Sequence, residues 1–105
     1  MYARVTLLEI DTVRMDMDAA VEMYRRDVLP GLQTQPGYTG ALVLTTPEGK
    51  GALVSFWEHE ADAEAGGQRG FYPETLERYT TLFRSTPGRE RYKVALAELP
   101  TATPA

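Results

Sequence analysis

The order of strand-like and helix-like segments is the feature that most constrains what this chain can fold into. Segments rich in β-branched and aliphatic residues predict strands at residues 2–10, 38–45, 52–58 and 91–99. Segments with apolar residues at helical spacing lie between the first and second strands and between the third and fourth. The second and third strands are joined by a short loop containing proline and glycine, which predicts an antiparallel hairpin.

The first helical segment has one apolar stripe and clear start and stop signals. An aspartate at its start, Asp16 or Asp18, can cap the first turn, and Pro30 with Gly31 should end or kink the helix. The stripe consists of Met17, Val21, Tyr24, Val28 and Leu32. This face of the helix is therefore predicted to pack on the sheet.

The second helical region combines a short and a longer element. Alanine and glutamate favour a helix at residues 60–65, and glycines then interrupt it. The next apolar stripe consists of Tyr72, Leu76, Tyr79 and Phe83. With both helical regions placed, the order is β-α-β-β-α-β, so we predict an α+β, ferredoxin-like fold with a four-stranded antiparallel sheet.

Composition limits the classes of protein to consider. The 105 residues predict a single domain at 1–99 and a flexible C-terminal tail at 100–105. A formal net charge of −4 is unlike the basic surface of nucleic-acid-binding proteins, and no apolar run reaches the length of a membrane span. The absence of cysteine, together with an N-terminus unlike a secretory signal, predicts a cytoplasmic protein.

Both faces of the predicted sheet are apolar. Strict alternation places Tyr38, Leu42 and Leu44 on one face of the second strand and Ala41 and Val43 on the other. In the fourth strand it places Val94 and Leu96 opposite Ala95, Ala97 and Leu99. Because two helices cover only one face, we expect a homodimer that pairs through sheet faces, with a small-molecule pocket between each sheet and its helices.

Residues 28–65 carry a family resemblance. Leu29-Pro30 at a helix end, the turn Pro36-Gly37-Tyr38 into a strand, and Phe56-Trp57-Glu58 before an Ala/Glu-rich helix resemble the antibiotic biosynthesis monooxygenase-like proteins of the dimeric α+β barrel superfamily. The order and length of the elements fit residues 1–99. The resemblance implies a small homodimer that oxygenates an aromatic substrate of the phenol or quinone type without a metal, flavin or other cofactor.

Two other functions stay open on the same scaffold. One is a non-catalytic, ligand-binding or stress-associated dimeric barrel, and the other is an isomerase or a lactone-handling enzyme. A further branch of the superfamily degrades haem with an asparagine on the first strand and a histidine on the later helix. This chain contains no asparagine and its later helical segment no histidine, which argues against haem degradation.

Five residues are candidates for the site. His59 is the only histidine and the only side chain that ordinarily titrates near neutral pH, so it is the candidate catalytic base. A solvated position in the turn after the third strand is the alternative for His59. The candidates for substrate contact in the pocket are Arg4, Trp57, Tyr72 and Tyr79.

Two other patterns are weaker. The carboxylates around His59 would be spread over several faces of a helix, and no second histidine stands at ligand spacing, so we predict no metal site. The glycine-rich stretch at residues 66–70 lacks the Gly-Lys-Ser/Thr ending of a phosphate-binding loop. It is predicted to be a connector, with a pocket lid as the alternative.

Overall fold

The structure is a computed structural model that describes residues 1–68 and 88–99. Within these ranges the chain forms four strands and three helices. The strands are β1 (Tyr2–Glu9), β2 (Tyr38–Thr45), β3 (Lys50–Trp57) and β4 (Gly88–Lys93). The helices are α1 (Met17–Asp27), α2 (Leu29–Gln33) and α3 (Glu60–Gln68).

The strands form one sheet in the order β2-β3-β1-β4, and every neighbouring pair is antiparallel. The two strands in the middle, β1 and β3, are not joined by a hairpin, because the chain passes through α1, α2 and β2 between them. This topology confirms the predicted ferredoxin-like α+β fold. The predicted helix that contains Tyr72 and Tyr79, and the predicted tail, lie outside the described residues.

The first helix begins and bends where the sequence predicts. The Asp16 carboxylate accepts a hydrogen bond from the backbone N–H of Ala19 at 2.8 Å, which satisfies one of the free donors of the first turn. The helix α1 ends at Asp27, and Pro30 lies in the first turn of the short helix α2, where its missing N–H costs no hydrogen bond. The proline thus divides one predicted helix into two.

The core lies between the helices and one side of the sheet, which we call the covered face. The buried cluster consists of Tyr24, Val28, Leu32, Trp57 and Ala63. Three of these five are members of the predicted stripe of the first helical segment, and Ala63 lies on α3. The stripe therefore packs on the sheet as predicted.

The opposite side of the sheet, the open face, is apolar as well. Its exposed large side chains include Leu7, Leu44 and Tyr92, at 60%, 54% and 53% exposure. The register places on the same face Ala3, Val5, Leu42, Ala52, Val54 and Phe56. An antiparallel sheet with one solvated face ordinarily carries polar residues along that face. Here the register places charged residues only at its margins, with Glu9 and Lys50 at one end of the strands and Glu90 in the edge strand β4.

The face predicted for Tyr38 was wrong. The register between β2 and β3 shifts between Tyr38 and Gly40, so that one additional residue, Thr39, stands in β2. Such a bulge changes which side chains share a face. Tyr38 consequently lies opposite Trp57 on the covered face, whereas Leu42 and Leu44 lie on the open face.

The predicted fourth strand was placed too late in the sequence. The strand observed is Gly88–Lys93, and residues 94–99 have no regular secondary structure. The reason is the length of the partner strand, because Lys93 lies opposite Tyr2, where β1 begins. Among the described residues, one more backbone hydrogen bond follows, from Val94 N–H to the Met1 carbonyl at 3.1 Å. Leu96 and Leu99 therefore do not extend the sheet.

Among the described residues, no helix has the combination of length and apolar character that crossing a membrane requires.

Candidate ligand cleft

An apolar cleft opens between α1 and one end of the covered face. The empty space that it encloses is about 570 Å³, a figure that includes the solvent at its open mouth. Helix α1 contributes one wall through Met17, Val21 and Tyr24. The other lining residues described are Leu8, Ile10, Ala20, Met23, Val28, Val43, Thr45, Gly51 and Leu53.

No charged side chain belongs to the described lining of this cleft. Thr45 and Tyr24 are the lining residues that have a polar group, but the accessible surface of the cleft is almost wholly apolar. Because an unpaired charge is costly to transfer into an apolar site, the cleft suits an uncharged, largely hydrocarbon ligand. Ligand orientation would then depend mainly on shape.

The hairpin between β2 and β3 closes the sheet beside the cleft. The backbone N–H of Ile10 donates to the Gly49 carbonyl at 2.7 Å, which ties the end of β1 to this hairpin. Gly49 has a φ of 103°, a conformation that side chains rarely tolerate, and an added Cβ would collide with the Ile10 carbonyl oxygen. Glycine is therefore required at this position to keep the hairpin against the cleft.

The other end of the covered face is filled. Trp57 is fully buried, and its indole N–H donates to the Ser55 hydroxyl at 2.8 Å. The ring of Tyr38 meets Trp57 edge-on, with 5.8 Å between centroids. Burial raises the pKa of the Tyr38 phenol above its ordinary value. Trp57, a predicted pocket residue, is thus a core side chain with its polar atom satisfied, and it is not among the cleft residues.

Two strand arginines hold α3 on the sheet. Arg4 and Arg91 are cross-strand neighbours on the covered face. Arg4 donates from Nη1 to the Ala63 carbonyl at 2.6 Å, and Arg91 pairs with two carboxylates of α3, Glu60 at 3.4 Å and Glu64 at 2.7 Å. Arg4, a second predicted pocket residue, contacts this helix and does not line the cleft.

His59 lies exposed in the turn between β3 and α3. Its backbone carbonyl accepts hydrogen bonds from the N–H groups of Asp62 and Ala63, which form the first turn of the helix. The cleft borders β3 at Gly51 and Leu53, and the strand rise puts Gly51 roughly 20 Å from the His59 end of β3. The structure does not bring His59 to the cleft.

Tyr72 and Tyr79 lie outside the described residues. In the described part of the chain, no group of three or more histidine, aspartate or glutamate side chains is arranged to hold a metal ion.

Comparison with known proteins gives matches among solved structures. No protein-family model matches the chain, and no curated protein matches it either. A protein of unknown function from Nitrosomonas europaea superposes with a TM-score of 0.72 at 21% identity, covering 96% of this chain and 95% of its own. A monooxygenase from the ActVA-Orf6 gene of Streptomyces coelicolor, in complex with nanaomycin D, gives 0.74 at 19% identity, covering 95% and 92%.

A third similar structure is SnoaB, a cofactor-independent oxygenase from Streptomyces nogalater. It superposes with a TM-score of 0.71 at 10% identity, covering 91% of this chain and 94% of its own. The chain has the antibiotic biosynthesis monooxygenase fold. The resemblance inferred from residues 28–65 is therefore confirmed for the fold.

Within this monooxygenase fold, the sequence reasoning missed most of the cleft. Leu8, Val43 and Leu53 belong to strands in which both faces are apolar, so nothing in the pattern marked them as ligand contacts. One signal was available on α1. Met17 and Val21 begin the predicted stripe and remain half-buried, whereas the later members Tyr24, Val28 and Leu32 are buried. The cleft follows the stripe from these half-buried residues as far as the buried Tyr24 and Val28.

Proposed function

We propose that this protein is a cofactor-independent monooxygenase that acts on a small, uncharged aromatic substrate of the phenol or hydroquinone type. The observation that carries the proposal is the apolar cleft between α1 and the sheet. Two solved structures of the same fold, one a monooxygenase holding nanaomycin D and one a cofactor-independent oxygenase, support the assignment of the reaction class.

The reaction needs no bound redox group if the substrate supplies the electrons. A reduced aromatic such as anthrone loses a proton, and its carbanion transfers electrons to dioxygen, forming a C–O bond and a peroxide. Cleavage of the O–O bond then gives the quinone, with one oxygen atom retained and the other released in water. Anthrone and dioxygen thus yield anthraquinone and water, and the atoms and electrons balance.

The contribution of the cleft to this reaction is exclusion of water and orientation. An apolar lining removes the hydration shell that would stabilise the substrate anion, which leaves that anion a stronger electron donor. The described lining contains no carboxylate, histidine or lysine, so in this proposal water at the open mouth accepts the proton. The proposal gives His59 no part in proton transfer. Its role as base, and substrate contact by Arg4, Trp57, Tyr72 and Tyr79, stay predictions from the sequence.

The same uncharged lining favours a second candidate function, which is ligand binding without catalysis. A binding protein needs only the shape of the cleft, whereas an oxygenase must raise the rate of oxygen consumption above that of the substrate in buffer. The two functions therefore predict different rates of oxygen uptake but the same affinity of the cleft for its ligand.

The test measures both quantities on the same variants. Oxygen uptake with anthrone is recorded for the wild type, for Val21→Phe, which places a ring in the cleft, and for Val13→Phe in the exposed loop before α1. The expected result is uptake well above the uncatalysed rate in wild type and Val13→Phe and its loss in Val21→Phe. If the wild type binds anthrone, Val21→Phe does not, and none of the three proteins raises uptake above the uncatalysed rate, the result supports the binding function. If the wild type shows neither binding of anthrone nor uptake above the uncatalysed rate, both candidate functions are wrong.

We further propose that the protein is a homodimer that pairs through its open faces. Three large apolar residues of this face, Leu7, Leu44 and Tyr92, are each more than half exposed. Strands of about eight residues in a four-stranded sheet give this face dimensions of roughly 27 by 19 Å. A second copy matches this surface, because two-fold pairing apposes identical apolar patches.

Sedimentation or light scattering tests the dimer at micromolar concentration. Leu7→Glu would place a charge within the paired faces and is expected to raise the dimer dissociation constant by about a hundredfold or more. Val13→Glu is the matched control, because Val13 is 92% exposed and lies in the loop after β1 rather than on the sheet. A monomeric wild type, or equal effects of the two variants, contradicts the proposal.

A further inference from the structure

Gly51 lies in the floor of the cleft, near the start of β3. It pairs with Leu8 of β1 on one side and with Thr45 of β2 on the other, and all three residues line the cleft. The residue therefore stands at the centre of the three-strand floor.

The backbone does not require glycine at this position. The described glycines with positive φ are Gly37 and Gly49, so Gly51 has a conformation open to any residue. Glycine in the interior of a strand lowers stability relative to alanine, because it has more freedom to lose on folding. The reason for glycine here must then be sought in the space around it.

That space is shared with Leu8. A Cβ added at Gly51 would stand 2.8 Å from Leu8 Cδ1 and 3.5 Å from Leu8 Cγ, so Leu8 would have to shift. Because Gly51 has no side chain, Leu8 lies directly over the strand at this position, and the floor of the cleft is the Leu8 side chain resting on the Gly51 backbone. A floor kept low in this way offers a flat surface to a planar ring.

We propose that Gly51 determines the substrate size of the cleft, by giving it the depth to accept a flat aromatic of two or three fused rings. The inference rests on the proposed function, since it assumes that the cleft is the ligand site. With any larger residue, the new side chain and the displaced Leu8 would both occupy the floor. A single ring would still fit nearer the mouth, but a fused ring system would not.

Calorimetric titration of the full chain tests this with two probes, 1,8-dihydroxyanthraquinone as the three-ring ligand and phenol as the one-ring ligand. In Gly51→Ala the dissociation constant for the three-ring probe is expected to rise by about tenfold or more, and that for phenol by less than about threefold. The matched control is Gly40→Ala in β2, where a Cβ would meet its nearest neighbour, Phe56 Cδ2, at an ordinary 3.8 Å. This control is expected to bind both probes as the wild type does.

A second variant separates lost space from damaged folding. Leu8→Val in the Gly51→Ala background makes room for the added methyl group and is expected to restore binding of the three-ring probe. The role of Gly51 is wrong if Gly51→Ala weakens binding of both probes equally, if it leaves both unchanged, or if Leu8→Val does not restore binding. Each of these outcomes leaves the proposed function standing. A wild type that binds neither probe overturns the proposed function, and the size rule with it.

Discussion

The two ends of the covered face are built from side chains of different size, and they have different properties. At one end, Trp57 is fully buried, Tyr38 packs against its ring and Ser55 satisfies its indole N–H. At the other end, Gly51 and Val43 leave an apolar cleft beneath α1. The same sheet and the same helical layer thus provide a packed anchor and a cavity.

The difference shows how a small domain can hold a ligand site without a second domain. Residues that line a cavity make fewer packing contacts, so the stability of the fold must come from contacts elsewhere in the molecule. Here the large aromatic side chains are concentrated at the end of the sheet where α3 and Arg4 also attach. We infer that the packed end keeps the fold stable while the other end stays open.

Truncation at the packed end tests this inference with the largest expected effect. Trp57→Ala removes a fully buried side chain and is expected to lower the free energy of unfolding by about 3–5 kcal/mol. Leu53→Ala, in the half-buried cleft wall, should cost about 1–2 kcal/mol, since it loses less buried surface. Urea denaturation measures both, and equal costs would contradict the comparison.

Added methyl groups are expected to change the free energy of unfolding in opposite directions at the two ends of the covered face. Ala63→Val inserts volume beside Trp57, where Ala63 is fully buried, and should destabilise by about 1–3 kcal/mol. Val43→Ile extends into the cleft and should stabilise by about 0.5–1 kcal/mol. Thermal and urea melts of the two variants provide the measurement. Destabilisation by both would mean that the cleft end is as tightly packed as the other.

The pH dependence of stability gives a smaller signal from the packed end. Because burial raises the pKa of Tyr38, the unfolded chain loses this phenolic proton at a lower pH than the folded protein. The folded state then binds more protons, so its stability should fall as the pH rises past the ordinary tyrosine pKa of about 10. Tyr38→Phe should reduce this slope in denaturation series from pH 8 to 11. An unchanged slope would refute burial of the phenol as its source.

The smallest effect is expected at His59. Because this side chain is exposed and far from the cleft along β3, His59→Ala should leave oxygen uptake within about twofold of the wild type. Uptake is compared at several pH values near neutrality, where an imidazole base would show its titration. A loss of about a hundredfold would instead support the base role predicted from the sequence.

The sequence predicts the fold well because its evidence is periodic. The stripe from Met17 to Leu32 identifies the buried side of α1 and α2, and Pro30 locates the break between them. The apolar residues of both strand faces predict the exposed patch around Leu44. These features depend on regular spacing, which a single sequence contains.

The errors have causes that spacing does not reveal. The end of β4 at Lys93 depends on where β1 begins, which is a property of the partner strand. The face of Tyr38 depends on a bulge at Thr39, and one irregular residue reverses alternation. The cleft depends on how completely facing side chains fill a layer, so residues such as Leu53 look identical to core positions in the sequence.

The two arginines that hold α3 differ in how they should respond to ionic strength. Arg91 attracts the partly exposed carboxylates of Glu60 and Glu64, and dissolved ions weaken attraction of this kind. Arg4 donates to the neutral Ala63 carbonyl in a half-buried position, where screening has little to act on. Concentrated salt should therefore loosen α3 from the outer strand while its attachment to the centre of the sheet persists.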